Sequence, residues 1–385
     1  MARLGDLGRI ITGNTPKTSD AKNYEAKDIC FVKPSDIDEH ELTYIKNSEC
    51  YIAEYARGKA RIVPIGSVLV TCIGIIGKVG INDVECAFNQ QINAVIPNTS
   101  ICNNKYLAYA IQSSKSRLEH IANAPVVPIL NKSQFSDIEI PLPSLDAQRK
   151  IAAILDKISD LTAKRRRQLD KLDELVKSRF VEMFGTYPAN ERAWQTCTIR
   201  DVVSDVCYGS SRPSVDGGAY PYLRMNNITY AGELDLSDVK RIDVPKSELS
   251  RCTVSRGDVL FNRTNSKELV GKTCVYDRDE MMVLAGFIIR VRVNDKILPE
   301  FLSTFLNADF SKQMLLGKCK TAIGQANINA NEMQSIGIYL PPLELQSRFV
   351  EVQQQTRKLK SIIQRSLTAL ETLKKSLMQE YFSAR

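Results

Sequence analysis

The strongest constraint on this chain is that it carries one plan twice. "IEIPLPSLDAQRKIAAIL" begins at Ile138 and "IGIYLPPLELQSRFVEVQ" begins at Ile336, an offset of 198 residues. At the same offset Leu130 and Asn131 match Ile328 and Asn329, Leu142 and Pro143 match Leu340 and Pro341, Gln148 matches Gln346, and Phe184 matches Phe382. Upstream the offset drifts as loop insertions would make it. "LGDLGRIITGNTP" from Leu4 parallels "IRDVVSDVCYGSSRP" from Ile199, and "FVKPSDI" from Phe31 parallels "YLRMNNI" from Tyr222. "VPIGSVLVTCIGIIGKVGI" from Val63 parallels "VSRGDVLFNRTNSKELVGKTCV" from Val254. Solenoid units recur every 20 to 50 residues or so, so a repeat this long is a duplicated domain.

Each copy reads as α+β. "GSVLVT" and "GDVLFN" are short β-rich runs entered through a Gly turn, and "CAFNQQINAVIP" and "LAGFIIRVRVN" are further strand candidates. "KYLAYAIQSSKSRLEHI" and "EFLSTFLNADFSKQML" have helical spacing. A proline-bounded strand then leads into a stretch without Pro or Gly, from Leu145 to Phe184 and again from Leu343 to Phe382. At 1.5 Å per residue each stretch can run about 60 Å as helix. A 3.5-residue period selects Phe349, Val352, Thr356, Leu359, Ile363, Ser366, Leu370, Leu373 and Leu377 in the second. In the first it selects Ile151, Ile154, Ile158, Leu161, Arg165, Gln168, Leu172, Leu175 and Arg179. Both fit an imperfect coiled-coil seam. The expected architecture is two mixed α/β domains, 1–144 and 185–342, separated by two long antiparallel coiled-coil helices, 145–184 and 343–385, with a pseudo-two-fold axis.

Composition excludes several classes. Hydrophobic residues make up 43% and charged residues 25%, a globular profile. "MARLGDLGRIITGN" has no apolar core of a signal peptide, and the longest uncharged apolar stretch, 63–77, is too short and interrupted to cross a bilayer. A cytoplasmic protein without membrane contact is expected. The ten cysteines form no C-x-x-C pair and have only His40 and His120 as companions, which suits reduced thiols and no metal site. Seven of the eight excess positive charges fall in the two helical stretches, so DNA binding by the globular parts requires local patches.

The junctions "PLPSLDAQRKI" and "YLPPLELQSRF", each followed by a long helix and each closing a globular domain, resemble the DNA specificity subunit of type I restriction-modification enzymes over essentially the whole chain. The resemblance implies two target-recognition domains reading the halves of a split asymmetric site in double-stranded DNA. It also implies that the helices serve as spacer and as docking surface for two methyltransferase subunits, and through them restriction/motor subunits. S-adenosylmethionine, ATP and Mg would belong to those partners, with no cofactor in this chain. One departure is that "LGDLGRIITG" follows the start almost at once, which puts any contact made by a longer N-terminal lead in doubt.

Side-chain chemistry selects candidate DNA contacts, since Arg pairs with guanine and Asn or Gln with adenine in the major groove. The first copy offers Lys33, Asn89, Gln90 and Gln91; the second offers Arg224, Asn226, Asn227, Asn262, Arg263, Thr264 and Asn265. Lys78 and Lys272 occupy matching places after the Gly turn, where a phosphate contact or a solvated lysine is equally compatible.

Catalytic readings fail on the residues. "SKELVGKT" has Ser266 where a phosphate-binding loop needs its first Gly, and "CIGIIGKV" also lacks the terminal hydroxyl. Asp20, Glu25 and Lys27 form a nuclease-like triplet only by assembling a loop, and the aromatic "PPY" signature of a DNA methyltransferase is replaced by "LPPL". The expected role is non-catalytic DNA recognition. The alternatives are a coiled-coil scaffold that binds protein only, and a self-contained nuclease or methyltransferase.

Overall fold

A computed structural model describes residues 1–122, 127–266, 271–318, 320–322 and 325–383, with the side chains of Asn265, Lys318, Lys320–Ala322 and Gln325 outside the description. The chain divides into two compact units. One combines Met1–Arg166 with Gln364–Arg385, and the other is Arg167–Ile363.

In the first unit the apolar runs build two sheets. The larger has the order Gly8–Thr12, Ile92–Pro97, Val68–Thr71, Val79–Asn82, Thr43–Ile45, antiparallel except for its last pair. The smaller has the order Cys50–Ile52, Ile29–Val32, Cys86–Phe88, Ile62–Val63, with Ile29–Val32 and Cys86–Phe88 parallel. Strands Ile29–Val32, Val68–Thr71, Val79–Asn82 and Cys86–Phe88 are buried at every position, which is why they read as continuous apolar runs rather than alternating ones. Helix Asn104–Ser113 covers the larger sheet through Tyr106, Leu107 and Ile111.

The second unit repeats this arrangement. Its sheets have the orders Val203–Tyr208, Ile288–Val293, Val259–Asn262, Thr273–Val275 and Lys240–Ile242, Tyr220–Leu223, Met282–Leu284, Thr253–Val254. The equivalence extends to single hydrogen bonds. Gly13 N donates to Ile92 O at 3.0 Å and Asn14 N to Phe88 O at 3.0 Å; Gly209 N donates to Ile288 O at 3.2 Å and Ser210 N to Leu284 O at 2.7 Å. Glycine is required at both places by close approach, because a Cβ would lie 2.2 Å from Asn89 O at Gly13 and 2.3 Å from Ala285 O at Gly209. Asn131 and Asn329 cap equivalent short helices with reciprocal capping boxes.

The repeated junction has a plain physical basis. Gln148 and Gln346 are both fully buried. Gln148 Nε2 donates to Ile101 O at 3.0 Å and Pro143 O at 2.9 Å while its Oε1 accepts from Asn103 N at 2.9 Å. Gln346 Nε2 donates to Pro341 O at 2.8 Å and its Oε1 accepts from Leu298 N at 2.8 Å. Each glutamine therefore stitches the strand exit and a neighbouring loop to the start of a long helix, satisfying backbone groups that would otherwise be buried unpaired.

The long helices span Leu145–Phe184 and Leu343–Phe382. Within each unit their segments run antiparallel. In the first, Ala152 and Leu155 share a core with Phe382, with Leu377, Met378 and Tyr381 packed against it. In the second, Phe180 and Phe184 meet Phe349, with ring centroids 5.2 and 5.7 Å apart.

The seam differs from the 3.5-period reading in one respect. The set Ile151, Ile158, Phe349, Thr356, Ile363, Leu370 and Leu377 is at least partly buried, as are Leu161, Val352 and Ser366, but other companions three residues on give way to positions four residues on. Leu155, Thr162 and Leu367 are buried, whereas Ile154, Leu175, Leu359 and Leu373 are 43%, 47%, 51% and 47% exposed. Each helix faces a domain core as well as its partner, so the buried stripe broadens toward the i+4 side. Among the described residues no helix is long and apolar enough to cross a membrane.

Candidate nucleic-acid interface

In the first unit three strand ends converge: Thr12 leads into Asn14 and Thr15, Val32 into Lys33, and Phe88 into Asn89, Gln90 and Gln91. They border a cleft of about 320 Å³ lined by, among others, Tyr24, Phe31, Tyr51, Lys27 and Lys33. Lys27 Nζ lies 5.7 Å from the Tyr51 ring centre and Lys33 Nζ 6.0 Å from that of Phe31, so the cations rest on aromatic faces. Lys33 Nζ is 3.0 Å from Cys50 Sγ, and this bond raises the ammonium above its ordinary pKa against the opposing effect of burial. Gln90 Oε1 accepts from Thr15 Oγ1 at 2.7 Å at an exposed position. Lys33, Gln90 and Gln91 thus share a rim with Thr15 and Lys27, which side-chain chemistry alone did not single out.

In the second unit the equivalent rim carries different groups. The Arg263 guanidinium lies 4.8 Å above the Tyr208 ring, and its Nη2 donates to Asn327 Oδ1 at 3.1 Å. Arg263 N donates to Phe287 O at 3.0 Å, as Cys72 N donates to Gln91 O at 2.7 Å in the first unit, so Arg263 and Cys72 are equivalent positions. Phe287, following the same turn as Gln91, is 53% exposed. A planar guanidinium stacked on an aromatic ring and tied to an amide is held in one orientation. Asn226 is exposed nearby in sequence, while Arg224 Nη2 is engaged by Asp238 Oδ2 at 2.7 Å. Tyr208, Phe287 and Asn327 were missed; the signal for Tyr208 and Phe287 lay in the repeat, which places Tyr208 opposite Thr12 and Phe287 opposite Gln91.

Several expected contacts are largely enclosed. Asn89, Asn227, Asn262, Thr264 and Lys272 are buried, although Asn89 still lines the cleft of the first unit. Asn89 Nδ2 donates to Gln91 Oε1 at 2.8 Å, which shapes the turn. Asn227 Oδ1 accepts from Arg224 N at 2.8 Å and its Nδ2 donates to Asp235 O and Asp238 O, a capping role that Asp36 performs for Lys33 N at 2.7 Å. Lys78 and Lys272 do occupy matching places, and in this structure both pin a turn through a backbone carbonyl. Lys78 Nζ donates to Pro34 O at 3.1 Å, and Lys272 Nζ to Ile228 O at 2.6 Å, each holding the 3-10 turn that starts after Lys33 or Arg224. Desolvation lowers the Lys272 pKa, as expected of an ammonium satisfied by carbonyls inside the fold. The Asn265 side chain lies outside the described residues. Asp20 pairs with Lys59 at 2.9 Å, and no cluster of three His, Cys, Asp or Glu able to hold a metal ion occurs among the described residues.

A duplicated, mixed α/β fold with two chemically distinct polar–aromatic rims and paired long helices defines a bipartite recognition protein without a catalytic constellation among the described residues. Its family follows from comparison. The model of the type I restriction modification DNA specificity domain matches residues 1–173 and 191–372, and the chain belongs to that family. It is 22% identical over 379 residues to the specificity subunit of the type I restriction enzyme EcoKI of Escherichia coli K12, covering 91% of this chain and 80% of that one. It is 32% identical over 186 residues to the HindI specificity subunit of Haemophilus influenzae, covering 46% of this chain and 39% of the relative. The fold is shared with the type I restriction-modification S subunit of M. genitalium, with TM-score 0.58, 13% identity, and 100% and 96% of the two chains covered. It is also shared with a chain from a structure describing assembly of the type I system, with TM-score 0.60, 18% identity, and 99% and 96% covered.

Proposed function

We propose that the chain reads a bipartite asymmetric DNA site, one half through the Lys33–Gln90–Gln91 rim and the other through the Arg263–Tyr208 rim. It would dock two methyltransferase subunits, and through them restriction/motor subunits. The observation that carries this reading is that equivalent rim positions bear different chemistry on one scaffold, Thr12 against Tyr208 and Gln91 against Phe287, while Arg263 stands where the first unit has the buried Cys72. Two different readers imply two different half-sites. In this reading the chain itself is non-catalytic and acts in the cytoplasm. S-adenosylmethionine, ATP and Mg act in the partner subunits, and the charged excess of the long helices lies where partners would dock.

The test is methylome sequencing of cells expressing the chain with its methyltransferase partner, together with DNA binding at stated salt. A split, asymmetric methylated motif supports the reading. A continuous or palindromic motif counts against it, and no sequence-dependent methylation at all would favour a protein-only scaffold.

A further inference from the structure

In each unit a loop acid meets both long helices at a charged junction. In the first, Glu41 places Oε1 3.3 Å from Arg166 Nη1 of the first long helix and Oε2 2.5 Å from Lys374 Nζ of the second. Arg166 Nη2 in turn reaches Glu371 Oε1 at 2.8 Å, which raises its pKa. In the second, Lys360 Nζ of the second helix bridges Asp173 Oδ1 of the first helix at 2.8 Å and Glu233 Oε1 at 2.7 Å. The lysine side chains are only 14% and 16% exposed, so these pairs are shielded more than ordinary surface ones. Burial opposes the charge on Lys360, and the bonds to the two carboxylates outweigh it.

The acids come from equivalent places. Glu41 and Glu233 lie a few residues beyond the 3-10 turns Pro34–Asp36 and Met225–Asn227, whose N-caps are Lys33 and Arg224 and which Lys78 and Lys272 pin. Both loops are stiff: Glu41 N and His40 N share Asp38 Oδ1, and Thr229 and Glu233 bond each other twice. One continuous segment therefore runs from the candidate recognition rim to both long helices.

The lever arm gives the junction its consequence. Each domain is anchored near the start of a long helix by Gln148 or Gln346 and by core packing on Leu155 or Phe349, with Tyr44, Tyr109 and Lys105 also holding Asp156 in the first unit. Measured from the glutamines, Arg166 and Lys360 lie about 27 Å and about 21 Å farther along their helices at 1.5 Å per residue. A tilt of about 7° at the longer radius, or about 9° at the shorter, moves the junction by about 3.4 Å, one base-pair step.

We infer that Glu41–Lys374 and Glu233–Lys360 are spacing-determining latches, which fix the tilt of each recognition domain on its own helix segments and so the number of base pairs tolerated between half-sites. The inference rests on the bipartite reading above. These are positioning residues, and their loss should leave both half-site sequences intact.

The experiment is methylome sequencing with the full chain and its methyltransferase partner, comparing wild type with E41Q, K374M, E233Q, K360M and the charge swap E233K/K360E. Expected is a rise of roughly tenfold or more in methylation at sites whose spacer is one base pair longer or shorter, with unchanged half-sites. In the swap the ammonium is carried by the loop and faces two carboxylates on the helices, so the loop is again tied to them and spacer fidelity should return. Unchanged spacer fidelity in all four single variants would overturn the inference, as would altered half-site preference or a swap as defective as its single parents. A wild type without a bipartite motif would instead overturn the underlying reading.

Discussion

Replacing Gln346 by Ala tests the junction that the repeat marks most strongly. The side chain is fully buried, and its loss leaves Leu298 N–H and Pro341 C=O without their partner. A buried backbone group left unpaired costs about 1–3 kcal/mol. Two such groups, partly relieved by water entering the vacated space, predict a loss of about 2–5 kcal/mol from the second unit. For a unit of this size each kcal/mol lowers Tm by about 2–4 °C, so a fall of roughly 4–20 °C is expected. Calorimetry measures the total, and hydrogen exchange at the Leu298 amide locates it. Q148A should produce the matching effect in the first unit, read at the Asn103 amide that Gln148 Oε1 holds. Q346E sharpens the test, since it keeps the acceptor for Leu298 N–H but turns an oxygen toward Pro341 O. Burial raises the pKa of the new carboxyl, and only its protonated form can donate, so the defect should grow from about pH 5 to about pH 8. A Q346A variant within about 0.5 kcal/mol of wild type, or one with a protected Leu298 amide, would refute the reasoning.

R263A should relax one base position at a cost of about 1–3 kcal/mol, with N327A weaker in the same direction; uniform weakening across sequences in a methylome would make Arg263 a phosphate contact instead. K272M should loosen the Met225–Asn227 turn in hydrogen exchange and leave the salt dependence of DNA binding unchanged, whereas a fall in the salt slope of about one would identify a phosphate contact. Burial, with the like charge of Lys272 adding to it, lowers the Lys312 ammonium to about 8 from 10.5. The unfolded chain then holds more proton between those values, so the second unit should gain stability as pH rises from about 8 to about 10.5. K312M should remove that slope in denaturant titrations and be the more stable protein at about pH 7.

The scaffold was legible in the sequence because its determinants are periodic or local. Proline-free length bounded the helices, buried strands read as apolar runs, and Gln148 and Gln346 announced the junctions through their identical spacing. The seam was half legible. Leu359 and Leu373 fit a 3.5-period stripe, yet they face outward because the domain core, absent from any helical wheel, draws the buried side toward Lys360, Leu367 and Lys374. Polar residues near strand ends were the least legible. Composition cannot tell an asparagine that reads a base from one that caps a turn, and Asn227 caps while Asn226 beside it is exposed. The direction is set by the 3-10 turn, whose single-residue twist decides which of two neighbours points inward.

The internal repeat separates these two kinds of residue more sharply than chemistry does. Where the two copies agree, the shared feature holds backbone: Gly13 and Gly209 admit a carbonyl, Gln148 and Gln346 stitch a loop, Lys78 and Lys272 pin a turn. Where they disagree at one structural position, as Gln91 and Phe287 do, the backbone bond is the same and only the side chain differs. A ladder bond uses main-chain atoms alone, so it places no demand on the side chain beyond its fit to the pleat. Divergence is therefore cheapest at strand ends on the rim. A duplicated protein that must tell two half-sites apart can vary those positions without disturbing the core, and the differing rims on one preserved frame follow from that freedom.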